Sequence, residues 1–210
     1  MDSNQEQLVQ LKADILAKNT CPELAESATQ LVTGHGNPEA DIVFIGEAPG
    51  KNEDLQGIPF VGAAGKFLDQ MLAQADLKRE DIYITNIVKY RPPNNRDPLP
   101  AEKKAFWPYL VRELQIINPS IIVTLGRHSM EYFLPNMKIS EIHGQPKRVT
   151  FGEHKMVIMP LYHPAAAMYN GDLKATLLED FAQVPAVQKL IHQELQNNKG
   201  IHQYGTQSKT

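Results

Sequence analysis

Four short runs rich in β-branched residues, at 41–45, 82–88, 121–125 and 156–161, alternate with stretches whose apolar residues recur at helical spacing. A chain patterned this way has to bury both faces of a sheet under helices, which predicts an α/β fold with four buried strands. Phe67, Leu68, Met71, Leu72 and Ala75 lie on one face of an expected helix, and Phe106, Leu110, Val111, Leu114 and Ile117 on another. Pro108 has to kink that second helix or fall in its first turn. Residues 148–151 are expected to pair with 154–158 across Gly152-Glu153, giving the last strand an antiparallel neighbour. Leu8, Leu11, Ile15 and Leu16 mark a helix near the N-terminus, and Leu177, Leu178, Phe181 and Val184 one near the C-terminus, with Leu190, Ile191 and Leu195 beyond Pro185.

At 210 residues the chain can bury one substantial core, so a single domain over residues 1–195 is expected. The stretch 196–210 has almost nothing apolar to bury and is expected to be disordered. One cysteine rules out an intramolecular disulfide and any multi-cysteine metal site built from this chain alone. No apolar run approaches the roughly 20 residues that span a bilayer, and the N-terminus is polar and acidic, so the expectation is a cytoplasmic protein with no membrane contact; it is also expected to be a monomer. The net charge of -3 argues against a dedicated nucleic-acid coat but leaves room for a basic patch.

Ligands of open α/β sheets bind beyond the carboxyl ends of the strands. The first run ends in Gly46-Glu47-Ala48-Pro49-Gly50, the second holds Thr85-Asn86, and the fourth ends in Tyr162-His163-Pro164, so a carboxylate, an amide and an imidazole should converge on one crevice. Each alone has a bland reading: Glu47 as a cap of backbone donors in its turn, Asn86 as a hydrogen-bonded structural amide, His163 as an ordinary loop histidine. Their shared position favours a site. Lys89, Arg91 and Arg96, with Lys147 and Arg148, are either solvated charges or a phosphate-binding rim beside that crevice. There is no phosphate loop, dinucleotide fingerprint, HExxH or GxSxG motif, and no set of metal ligands can be named.

The motifs GEAPG (46–50), GIPFVGAAG (57–65), TNIVK (85–89), RPPNNRDP (91–98), Leu125-Gly126 and His163-Pro164 follow one another in order over residues 21–181. This series resembles the uracil-DNA glycosylase superfamily, specifically family 4. The resemblance implies a three-layer αβα sandwich around a central four-stranded parallel sheet, and excision of uracil from single- or double-stranded DNA. It implies that Phe60 stacks on the flipped base, Asn86 reads its edge, Glu53 crowds C5 against thymine, Ala48 lines the pocket, and Glu47 and His163 are catalytic. Gly65, Lys89, Arg91 and Met168 are expected on the DNA, with Met168 or Tyr169 as the wedge where the family has a Ser and bulky aliphatics. Family 4 usually carries a [4Fe-4S] cluster on four cysteines. The matching positions here are Lys18, Cys21, Tyr90 and Phe106, so the cluster is expected to be absent, with aromatic packing in its volume and no cofactor of any kind. Two rivals stand beside this reading. One is a covalent uracil-DNA binder, whose Gln in the first motif and basic insertion are missing here; the other is a non-catalytic module that binds a nucleotide or nucleic acid in the same crevice.

Overall fold

The computed structural model describes residues 2–151 and 154–204. In chain order the elements are α1 (Asn4–Ala17), α2 (Pro22–Ser27), β1 (His35–Gly36), β2 (Ile42–Gly46), α3 (Lys51–Gln56), α4 (Ala63–Gln74), β3 (Tyr83–Asn86), α5 (Pro100–Ile117) and β4 (Ile121–Leu125), followed by α6 (Arg127–Met130), α7 (Ile139–Ile142), β5 (Lys147–Phe151), β6 (His154–Leu161), α8 (Pro164–Ala167), α9 (Gly171–Phe181) and α10 (Val184–Tyr204).

The strands form one sheet in the order β1-β3-β2-β4-β6-β5. Its centre, β3-β2-β4-β6, is parallel, as the family resemblance implies, and an antiparallel strand closes each edge. β5 is the anticipated hairpin partner, with Phe151 opposite His154, while the expected turn at Gly152-Glu153 lies outside the described residues. β1 was not anticipated: two residues leave no periodicity to read, and the strand exists only because β3 offers a free edge.

Alternation along the strands divides the core in two. Val43 and Ile45 of β2 pack with Leu110 and Leu114 of α5 and with Ile15 of α1, whereas Ile42 and Phe44 pack with Leu68 and Met71 of α4 and with Leu177 and Phe181 of α9. Helices therefore cover both faces, which makes the αβα sandwich. On α1 only part of the expected stripe is buried: Leu11 and Ile15 turn inward and Leu16 faces solvent. Pro108 sits inside α5, whose first turn is instead opened by Pro100, a position where a missing N–H costs nothing. α10 runs past the boundary expected at residue 195. No helix among the described residues is long and apolar enough to cross a membrane.

Candidate active site

From β2 the chain crosses over to β3 on one side, and from β4 it passes by way of β5 to β6 on the other, so the sheet has a topological switch point between β2 and β4. A cavity of about 360 Å³ opens beyond the strand ends there, within the usual range of about 300–1,000 Å³ for small-ligand sites. Glu47 and Ala48 from the end of β2, Asn86 from the end of β3 and His163 after β6 all line it, with Glu53, Phe60 and the Asn95–Pro98 part of the loop after β3.

Asn86 is buried, yet its Oδ1 accepts no hydrogen bond from the protein. Such an orphan costs stability unless a ligand completes it. A Cβ on Gly46 would stand 2.4 Å from that oxygen and 2.6 Å from the Phe60 ring, so the amide and the ring share the wall only because residue 46 has no side chain. Phe60 carries φ 55, a left-handed backbone that is costly for a bulky residue. Two features hold it there. The Arg79 guanidinium donates to the carbonyls of Pro59 and Phe60 at 2.8 and 2.9 Å, and Gly65 leaves room for the Phe60 carbonyl, which a Cβ would approach to 1.9 Å.

His163 Nδ1 accepts from the Ala165 N–H at 3.1 Å, which puts the ring proton on Nε2. Burial, with the nearby His128, pushes its pKa down to about 4, so at neutral pH it is an uncharged donor. Its ring lies 6.0 Å from that of Phe60. Glu47 moves the other way: burial, reinforced by the Asp97 carboxylate, raises it to about 7. Glu47 Oε1 has no hydrogen-bond donor, and His128 Nε2 lies 3.5 Å from both Glu47 Oε1 and Asp97 Oδ2. Among the described residues, these three are the one group of His, Cys, Asp or Glu with ligand atoms close enough to hold a cation, and the Arg127 guanidinium already stands 3.9 Å from Asp97.

Several expected contacts are rearranged. Lys89, placed on a phosphate-binding rim from the sequence, is 1% exposed and paired with Glu113 at 2.7 Å, because α5 brings that carboxylate under the end of β3. Gly65, expected on the DNA, is buried against Phe60. Arg91 reaches the site only through Asn95, to whose Oδ1 its Nε donates at 2.7 Å. Glu53 Oε1 accepts from the N–H groups of Val61 and Gly62 at 2.9 and 2.7 Å, which fixes its carboxylate at the start of α4. Met168 lies outside the main cavity, in a smaller one of about 260 Å³ that it shares with Lys66 and Lys174, and Tyr169 beside it is 91% exposed. Lys147 and Arg148 do not line the crevice; Arg148 pairs with Glu194. His128 and Asp97 were not singled out in the sequence, although His128 follows Leu125-Gly126 at a strand end, where such residues gather.

The four positions that match the family's cluster ligands lie together but do not fit iron. Tyr90 and Phe106 are buried edge to face with centroids 5.9 Å apart, Phe106 meets Tyr109 at 6.5 Å, and Lys18 Nζ stands over Tyr109. Thr20 Oγ1 donates to the Tyr109 hydroxyl at 3.0 Å. The single thiol, Cys21, is pushed up to about 11 by burial and by the Glu102 and Glu23 carboxylates, which leaves it protonated. One protonated thiol among aromatic rings cannot replace four thiolates.

A family model described as the uracil DNA glycosylase superfamily matches residues 33–183. A type-4 uracil-DNA glycosylase of Sulfurisphaera tokodaii is 46% identical, over 84% of this chain and 83% of its own length. Those of Archaeoglobus fulgidus and Thermotoga maritima are 44% and 38% identical, over 85% and 83% of this chain and 92% of their own lengths in both cases. A switch-point crevice with an orphaned amide, a neutral imidazole and a half-buried carboxylate is thus matched by similarity along most of the chain, and the protein belongs to the uracil-DNA glycosylase superfamily.

Proposed function

We propose that this chain is a DNA-repair enzyme that excises uracil from DNA by hydrolysing its N-glycosidic bond, as a monofunctional, cofactor-free cytoplasmic monomer. The observation that carries this reading is the buried Asn86 with its unpartnered Oδ1 on the wall that also holds the Phe60 ring. An amide there can accept from uracil N3–H and donate to O4 at once, whereas cytosine presents the opposite polarity at both atoms. Stacking on Phe60 offsets part of the cost of unstacking the base from DNA.

Bond cleavage sends the electron pair of the C1′–N1 bond to uracil and leaves positive charge on the sugar. The neutral His163 offers its Nε2–H to uracil O2 and stabilises the departing anion without a proton having to move. Glu47 acts as the carboxylate, compensating the sugar cation or taking a proton from the attacking water. Both roles need its ionised form. Water supplies the oxygen that ends on C1′, and its proton is released with the base. Ala48 offers no second side-chain base. Lys66 and Lys174, next to Met168 and the exposed Tyr169, provide the cationic and apolar surface along which the strand leaves the cavity.

The test is incubation with uracil-containing oligonucleotides, single and double stranded, followed by alkaline cleavage of abasic sites. Strand breaks at uracil are expected. Uracil left in place, or an adduct that resists denaturant, would overturn the reading.

A further inference from the structure

Beneath the floor of the cavity lies a charged group that the mechanism above does not use. Lys89 Nζ donates to Thr85 Oγ1 at 2.5 Å, to the Asn86 main-chain oxygen at 2.8 Å and to Glu113 Oε2 at 2.7 Å, which satisfies all three of its hydrogens. Glu113 also accepts from the Tyr83 hydroxyl at 2.9 Å, from Thr85 Oγ1 at 3.0 Å and from the Gly34 N–H at 3.3 Å. The turn closed by Lys89 is tied to the other wall as well, since Ile87 N–H donates to the Gly46 oxygen and Val88 N–H to the Glu47 oxygen.

A buried ion pair is weak evidence of net stabilisation, because desolvation of two charges offsets most of their attraction. What an apolar pair of the same volume could not do is hold a carbonyl. The carbonyl held here belongs to the residue whose side chain has no protein partner for its oxygen. We infer that Lys89 and Glu113 are positioning residues for base recognition, fixing the backbone of Asn86, and with it the reading amide, at its distance from Glu47. The inference rests on the function proposed above.

The test replaces the pair with Lys89→Met/Glu113→Leu, and in parallel with Lys89→Gln/Glu113→Gln, in which the two amides can bond each other but the shorter side chain at position 89 falls short of the Asn86 oxygen. Either pair decides the question if the other fails to fold, as judged by thermal unfolding. In a folded variant, single-turnover excision should fall by about 10²-fold, the scale of a misplacement near 1 Å. Inhibition by free uracil should weaken in step, while affinity for DNA already carrying an abasic site stays at the parent value. Parent excision and parent uracil inhibition in a folded variant would overturn the inference, and so would an equal loss of affinity for abasic DNA. A parent protein that releases no uracil overturns the proposed function and this inference with it.

Discussion

Asn86 and Tyr90 stand four residues apart on the same turn, and their surroundings are opposites. Asn86 faces a cavity with its oxygen unpaired, beside a carboxylate also left without a donor. Tyr90 faces away into rings, packed against Phe106 and within the apolar cluster that joins α1 and α5 to the sheet. The first arrangement leaves buried polar atoms unpaired at a cost in stability, whereas the second is closed by ring packing alone. One turn thus carries a face open to the cavity and a face packed into the core, and substitutions on the two should fail in different ways.

The sharpest break is Asn86→Asp. An ionised carboxylate only accepts, so uracil O4 would meet an acceptor and a loss of about 10⁴-fold on uracil is expected, the scale on which a hydrogen-bonding site rejects a mismatched partner. Slight cytosine excision should appear and grow toward low pH. Parent activity on uracil would make Asn86 a structural amide and erase the contrast. His163→Ala comes next, with single-turnover excision down by about 10²–10³-fold, as when one donor to a developing anion is removed, and with a small fall in melting temperature because the Ala165 N–H loses its cap.

A pH profile sharpens the comparison further. Glu47 is raised to about 7 and must be ionised to act, so the rate should fall about tenfold per pH unit well below 7 and level off above it. His163, at about 4, stays neutral throughout that range. Asp97→Asn should move the profile to lower pH by removing a charge that raises Glu47, and Glu47→Gln should flatten it. The smallest effect on rate belongs to the packed face. Phe106→Ala should cost about 3–5 kcal/mol of stability while the folded fraction excises uracil as the parent does, measured by denaturant unfolding alongside the assay. A catalytic defect at full stability would show that the two faces are coupled.

The four central strands and the crevice at their ends were legible in the sequence, because continuous β-branched runs set between helix-period stretches mark strands buried on both faces, and the strand ends follow directly. The residues that escaped depend on neighbours that only the folded chain brings beside them. Lys89 looks like a surface charge until Glu113, 24 residues on, is brought beneath it. Gly65 is expected on the DNA from the resemblance, and only the folded chain shows the Phe60 carbonyl against it. Asp97 carries no periodic signal within its loop, and its influence on Glu47 exists only in three dimensions.

The state of the lone thiol sets how the molecule meets oxidants and electrophiles. A cysteine held protonated among rings is a poor nucleophile, so alkylating agents and peroxide should find little to react with at Cys21. Among the described residues the most exposed sulfur-bearing side chains are thioethers, Met137 and Met168. Oxidation of Met168 turns an apolar, flexible side chain into a polar one beside Lys66 and Lys174. Chemical ageing of this protein should therefore register first at the cavity that Met168 shares with the two lysines, ahead of the aromatic cluster around Cys21.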